Sequence, residues 1–317
     1  MTADLDGVLV VTVRKSFWAS PEADAFRRRI YARVVYGHST NTLNSALVAL
    51  RALLSVLLRP PRVVVLGSVE RLVPWIIRAR RAGLLRGAKL VVTNQLELDD
   101  GPLAQVDRVI LYARPLIAAG RPALRERAVF AYLPADGDFE AARRAASEGG
   151  YVFTGGGADR DFASVIEAVG GTEIPLEIVA FSTEALGPVP ANCVVRGRMP
   201  LPGFLEHMAG ARFVVVPLRD PSSPHGQTTV VQALALGKAV IATRSPGVAD
   251  YVEDEQEGLL VEAGDVAGYR RAILRLADDA ELREACERNA CARAGMLTYA
   301  GFRAMLVQEC RSLMSGH

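Results

Sequence analysis

Short runs of Val, Ile and Leu recur almost from end to end of the chain, separated by longer stretches in which apolar residues return every three or four positions. The short runs fall at 8–13, 62–66, 89–93, 108–112 and 129–132, then at 151–154, 176–181, 193–196, 213–217, 239–243 and 258–261. Most are continuously apolar rather than alternating, which is how strands buried on both faces of a parallel sheet read. The longer stretches predict crossover helices between them. At 265–277, for example, Asp265 suits an N-cap, and Val266, Tyr269, Ile273 and Leu276 share one face. Strand and helix in alternation predict an α/β protein of βαβ units.

Two breaks divide the pattern. Pro134-Ala-Asp-Gly-Asp138 reads as a turn, and Ser147-Glu-Gly-Gly150 as a second interruption before a new strand. The expected organisation is a first domain over 1–140 and a second over 141–297, two Rossmann-like domains facing a cleft. A last helix near 298–317 is expected to pack back on the first domain. A length of 317 residues suits two domains.

Composition narrows the class. With 50% hydrophobic and 23% charged residues, the chain can bury substantial cores, and disorder is not expected. Four widely spaced cysteines, without CxxC or nearby His, suit free thiols in a reducing compartment; acidic Asp4 and Asp6 stand where a signal peptide carries basic residues. No uncharged apolar run is long enough to span a bilayer, so a cytoplasmic protein is expected. The net charge of +2 hides an asymmetry: residues 1–150 hold 22 Lys+Arg against 14 Asp+Glu (+8), and 151–317 hold 15 against 21 (−6). The basic half is a candidate for peripheral membrane contact, whereas no aromatic-interleaved basic patch points to nucleic acid. Residues 43–58 are apolar but broken by Arg51, and predict a helix packed on the sheet, with a membrane-touching helix as the alternative.

The most informative stretch is 213–243, FVVVPLRDPSSPHGQTTVVQALALGKAVIAT. It reads as strand, loop, helix, strand, with Ser223 as N-cap, Pro224 at the first helical position and Gly237 closing the helix. Backbone amides of His225, Gly226, Gln227 and Thr228 would then lie at a positive helix end beyond the carboxyl edge of a parallel sheet, where phosphates bind.

Six blocks in register, YVFTGGG (151–157), IEAV (166–169), LEIVA (176–180), QALALGKAVIAT (232–243), GVADYV (247–252) and GLLVEAGD (258–265), resemble the C-terminal domain of family 4 glycosyltransferases. That resemblance implies the GT-B fold of two Rossmann-like domains and a nucleotide-diphosphate sugar as donor. It also implies retention of anomeric configuration, with no metal and no other cofactor. Two departures stand out. Of the family's two glutamates eight positions apart, one matches Gln232 and the other falls on Pro224; Gly156 takes the place of the usual Arg, with Arg160 near the place of the usual Lys. A Gly-Gln-Thr run ahead of the helix is similar to a subset of bacterial members.

On that resemblance the donor diphosphate is expected at Gly156, Arg160, Arg219, Gly226, Gln227, Thr228 and Thr229, with Asp220 engaging its neighbour Arg219. The nucleoside is expected at Arg198, Met199 and Gln232, and the donor sugar at Ser223 and His225. The triple glycine 155–157 would let backbone approach a ligand closely. Asp159-Arg-Asp161 spells an acidic triplet, but it follows a glycine turn rather than a strand end, which favours helix capping over metal binding. In the first half, loops after the first three expected strands supply acceptor-side candidates: Ser16, Trp18, Ser68, Asn94 and Gln95, with His38 a further one. No catalytic residue is singled out. The expected activity is glycosyl transfer to an acceptor such as a secondary metabolite, a lipid or a glycan. A sugar-nucleotide epimerase of the same fold and a non-catalytic nucleotide-sugar-binding partner remain as alternatives.

Overall fold

A computed structural model of the chain describes residues 7–12, 28–31, 48, 50–52, 54–56, 58–67, 72–85, 87–94, 99–147, 149–181, 186–222 and 224–315. The chain divides into two units, Met1–Ala131 with Tyr299–His317, and Tyr132–Thr298.

The first unit is a six-stranded, wholly parallel sheet: β1 Val8–Thr12, β2 Arg28–Tyr31, β3 Val63–Gly67, β4 Lys89–Thr93, β5 Arg108–Leu111 and β6 Ala128–Phe130, in the order β2-β1-β3-β4-β5-β6. Strand β2 has no counterpart in the sequence reading. Its residues, Arg-Arg-Ile-Tyr, form an edge strand and lack the continuous apolar run of a two-sided strand. One face of the sheet packs Leu9, Val11, Val64, Leu66, Leu90 and Val92 against helical residues Val48, Ala52 and Val56 and the helix Val73–Arg81. The opposite face presents Val8, Val10, Val63, Val65, Val91 and Ile110. It is covered by Phe302, Leu306, Cys310 and Leu313 of the helix Tyr299–Ser315. The end of the chain thus completes the burial of a sheet built at its beginning.

The second unit is also wholly parallel: β7 Val152–Gly156, β8 Leu176–Ala180, β9 Cys193–Arg196, β10 Val214–Val216, β11 Val240–Thr243 and β12 Gly258–Val261, ordered β12-β11-β10-β7-β8-β9. From β7 the chain moves outward to β8 and β9, then returns to lay β10, β11 and β12 on the other side. Helices Phe162–Val169 and Val266–Asp278 pack on one face, capped by Asp161 and Asp265, which accept from the Ser164 and Gly268 amides. Helices Leu201–Gly210 and Gln227–Ala235 bury Phe204, Leu205, Met208, Val230, Val231 and Leu234.

The break between units falls between Ala131 and Tyr132, earlier than residue 140. The stretch that reads as a linker is bound into the second unit. Leu133 N–H donates to Tyr251 Oη at 3.0 Å, Ala135 N–H donates to Leu297 O at 2.9 Å, and the helix Phe139–Ala145 is capped by Asp138 and packs on the helix Leu201–Gly210.

Because Leu306 is 1% exposed within the layer that closes the first unit, Leu306→Ala should cost that unit about 2–5 kcal/mol. Both tryptophans, Trp18 and Trp75, belong to the first unit. Denaturant titration followed by Trp fluorescence should therefore show a lowered midpoint, and an unchanged midpoint would contradict this packing.

Candidate functional site

In a doubly wound sheet, the crevice that accepts ligands opens where successive connections leave in opposite directions, beyond the carboxyl ends of the strands. In the second unit that point lies between β7 and β10. The segments leaving these two strands are joined directly: Arg160 bridges Leu218 in antiparallel fashion, Asp161 N–H donates to Pro217 O at 3.2 Å and Arg219 N–H to Asp159 O at 3.2 Å.

Arg160 lies beneath this junction. Its Nε donates to Gly155 O at 3.1 Å, Nη1 to Ala158 O at 2.7 Å, and Nη2 to Thr229 Oγ1 at 2.9 Å. The residue is only 8% exposed, and these three acceptors are two carbonyls and a hydroxyl. Burial lowers its pKa to about 10, with the nearby Asp159 charge opposing that shift. At neutral pH the group stays protonated, so a full cation sits in a poorly solvated place with only carbonyl and hydroxyl acceptors. Its third acceptor belongs to the first turn of the helix Gln227–Ala235, whose amide dipoles add further positive potential. Acidic residues are absent from that first turn.

Each of the three glycines lies against a side chain of the same unit. A Cβ at Gly155 would lie 2.7 Å from Phe204 Cε2, at Gly156 2.9 Å from Arg160 Nε and Nη2, and at Gly157 2.5 Å from Phe181 Cδ2. Gly156 also has φ +126, and Asp159 φ +55. The acidic triplet divides its roles. Asp161 caps the helix Phe162–Val169, and Asp159 Oδ2 accepts from the Asp220 amide at 3.4 Å. Among the described residues no cluster of three His, Cys, Asp or Glu side chains is placed to hold a metal ion.

The helix at the crevice begins at Gln227 with Gly226 as N-cap, not at Pro224 with Ser223 as cap. Gly226 takes φ +90, and the preceding Pro224–His225 backbone is held against Gly247, where a Cβ would lie 2.5 Å from His225 O. Only after that turn does the chain become helical. Gly237, at φ +72, ends the helix as its position suggests.

Of the diphosphate candidates, Gly156, Arg160, Gly226 and Thr229 converge on the crevice. Gln227 is buried and Thr228 exposed in the same first turn. Arg219 is exposed at the mouth of the junction, and Asp220 does not engage it. Asp220 accepts from Ser222 Oγ at 2.7 Å and Ser222 N at 2.8 Å, and these bonds hold its carboxyl below the usual range. Arg198 and Met199 follow β9, on the same carboxyl edge. Gln232 stands apart from them, buried on its helix with Nε2 donating to Asp136 O at 3.4 Å. His225 is exposed, and Asn94, exposed at φ +54, follows β4 in the first unit. Ser223, Ser16, Trp18, Ser68, Gln95 and His38 lie outside the described residues.

Two residues at this edge, Phe181 and Ser245, escape sequence reasoning, and a third, Thr229, is expected there only as a phosphate contact. Phe181, exposed after β8, packs on Gly157 and lies under the Arg198 guanidinium, 5.0 Å from ring centroid to Cζ. Thr229 is the acceptor that ties Arg160 to the helix. Ser245, buried just beyond β11, has an Oγ without a hydrogen-bond partner. Only the apolar run before Phe181 and the loop position of Ser245 hint at them.

Residues 163–279, inside the second unit, match the family described as "Glycosyl transferases group 1". No curated protein matches the chain. Among solved structures, a glycosyltransferase from Rickettsia africae aligns with a TM-score of 0.69 at 11% identity, over 98% of this chain and 99% of that one. HepE from Anabaena, in complex with UDP and glucose, aligns with a TM-score of 0.66 at 15% identity, over 96% and 91%. Sucrose-phosphate synthase from Thermosynechococcus elongatus aligns with a TM-score of 0.66 at 15% identity, over 97% and 89%. At such identities the likeness shows the fold: two parallel α/β sheets, as in GT-B glycosyltransferase structures.

Gly156→Ala should cost the second unit about 1–3 kcal/mol, from a strained φ and from contact with Arg160. Gly171→Ala shares a positive φ, +72, but nothing lies within 4 Å of its Cβ, so its cost should be smaller, about 1 kcal/mol. Calorimetric melting of the two variants tests the difference, and equal costs would mean that Arg160 yields freely.

Proposed function

We propose that the chain is a glycosyltransferase that takes a nucleotide-diphosphate sugar as donor and transfers the sugar to an acceptor hydroxyl with retention of configuration. The observation that carries this reading is Arg160, a buried cation with only neutral acceptors, bonded to the first turn of a helix at the switch point of a parallel sheet. A diphosphate is the anion such a place suits, because it brings the charge that Arg160 lacks and accepts from helix amides. The match of residues 163–279 to group 1 glycosyl transferases supports the same reading, as does the presence of UDP in the Anabaena structure.

In the proposed step, the bond from the sugar's anomeric carbon to the diphosphate oxygen breaks and one from that carbon to the acceptor oxygen forms. Both events occur on one face of the sugar. The acceptor's proton passes to the departing diphosphate oxygen, and the residues of the crevice stabilise the charge that develops there. Arg160 and the amides of the Gln227–Ala235 first turn take that role. Arg219 supplies a more distant charge, and Arg198 and Met199 contact the nucleoside. No side chain is required as a separate base.

Titration calorimetry with UDP, GDP and ADP should find at least one that binds. Arg160→Ala should weaken that diphosphate about tenfold or more, about 1.4 kcal/mol, and leave the corresponding nucleoside nearly unchanged. Arg160→Lys, which restores charge without the forked geometry, should recover part of the loss. Equal losses for nucleoside and diphosphate, with the melting temperature retained, would remove Arg160 from the site.

Turnover should survive EDTA, since Asp159 and Asp161 are occupied in holding the junction and capping a helix. Loss of activity on chelation with recovery on adding Mg²⁺ or Mn²⁺ would reassign those carboxylates. Donor incubated without acceptor should not isomerise; isomerisation would instead mark an epimerase.

A further inference from the structure

The outward side of one helical layer in the first unit is both apolar and cationic. Connections β2 to β3 and β3 to β4 run in the same direction across the sheet, so right-handed crossovers place their helices side by side on one face. These are the helical residues within 48–58 and the helix Val73–Arg81, and both contribute to the core on that face. Val48, Ala52 and Val56 point inward, whereas Leu50, Leu54 and Leu58, one helical turn apart, are 54%, 48% and 86% exposed. Trp75 and Leu84, at the second helix and just past it, are 42% and 44% exposed. These five are the exposed large hydrophobic residues of the first unit among the described residues.

The charge of these two segments is predominantly positive. Residues 48–89 carry nine Lys+Arg against a single acidic residue, Glu70. Arg80 is held by Asp107 and Arg62 by the Met314 carbonyl, while Arg51, Arg78 and Arg81 are exposed beside the apolar residues. The Arg78 guanidinium lies 5.7 Å from the Trp75 ring centroid.

We propose that this layer is a docking surface for an anionic lipid bilayer, with the leucines and Trp75 entering the headgroup boundary and the arginines meeting lipid phosphates. A leucine row with a tryptophan and flanking arginines has the composition of interfacial helices. No helix among the described residues is long and apolar enough to cross a membrane, so the contact is made at the surface. A symmetric contact with a second copy would set like charges against one another. Nucleic acid would leave the leucine row without a partner. The surface belongs to the first unit and does not depend on the chemistry of the second.

Flotation of the full chain with vesicles tests it, using phosphatidylcholine alone and phosphatidylcholine mixed with phosphatidylglycerol. Binding should favour the anionic vesicles and weaken as salt rises. Leu54→Ser with Leu58→Ser, and separately Arg78→Glu with Arg81→Glu, should each lower the bound fraction's partition coefficient about tenfold or more. All four positions are exposed, and unchanged melting temperatures verify folding. Equal binding to neutral vesicles, no vesicle binding, or variants that bind like the parent would overturn the proposal. So would a dimer in sedimentation that the leucine changes dissolve while vesicle binding is absent, which would give the face to a second copy.

Discussion

The crevice of the second unit depends on how one guanidinium is buried. Two segments leave neighbouring strands β7 and β10 and satisfy part of their backbone on each other, Asp161 N–H on Pro217 O and Arg219 N–H on Asp159 O. Arg160 adds a side-chain tie beneath them. It reaches back to Gly155 and Ala158 in its own segment and across to Thr229 in the helix that follows the other. Its bond to Thr229 Oγ1 ties the first turn of that helix to the glycine-rich segment. The arrangement also leaves the guanidinium with only neutral acceptors for its hydrogen bonds, and burying a charge in that state costs free energy.

Parallel sheets demand cover on both faces, and each unit meets the demand differently. The second unit recruits helices from its own connections and the helix Val266–Asp278 that follows its last strand. The first unit borrows the helix Tyr299–Ser315, fastened where Arg108 pairs with Glu309 at 3.3 Å. The borrowed helix frees the opposite layer to face outward with leucine, tryptophan and arginine. The two features are thereby separated in the fold: a crevice with a buried arginine at a strand edge in one unit, and an exposed apolar and basic helical layer in the other. The sequence charge follows the same division, with the basic excess in the first half.

Glycine at 155–157 shows how a motif and its physical cause can part. A triple glycine after a strand suggests close approach to a phosphate, yet each of the three lies against a side chain of the same unit. Phe204 and Phe181 flank the turn and Arg160 fills its centre. The turn admits the arginine.

Local sequence determined the elements. Continuous apolar runs, the caps Asp161 and Asp265, and Gly237 at a helix end act within a few residues, and their physics is complete before the chain folds up. The parallel two-sheet class follows from the same runs. The edge strand Arg28–Tyr31 was hidden because an edge needs no two-sided apolar run. The break at Ala131 was hidden because hydrogen bonds to Tyr251 and Leu297, more than a hundred positions away, assign the apparent linker to the second unit. Likewise the helix begins at Gln227, after a positive-φ Gly226 and a loop that passes close to Gly247, rather than at the Ser-Pro pair. Arg160 was visible as a cation on a glycine-rich loop, but whether it faced solvent or filled the turn depended on Thr229 and Gly156, which only the packed sheet brings to it. Periodicity and capping are local properties, whereas burial of a charge is decided by what lies on every side of it.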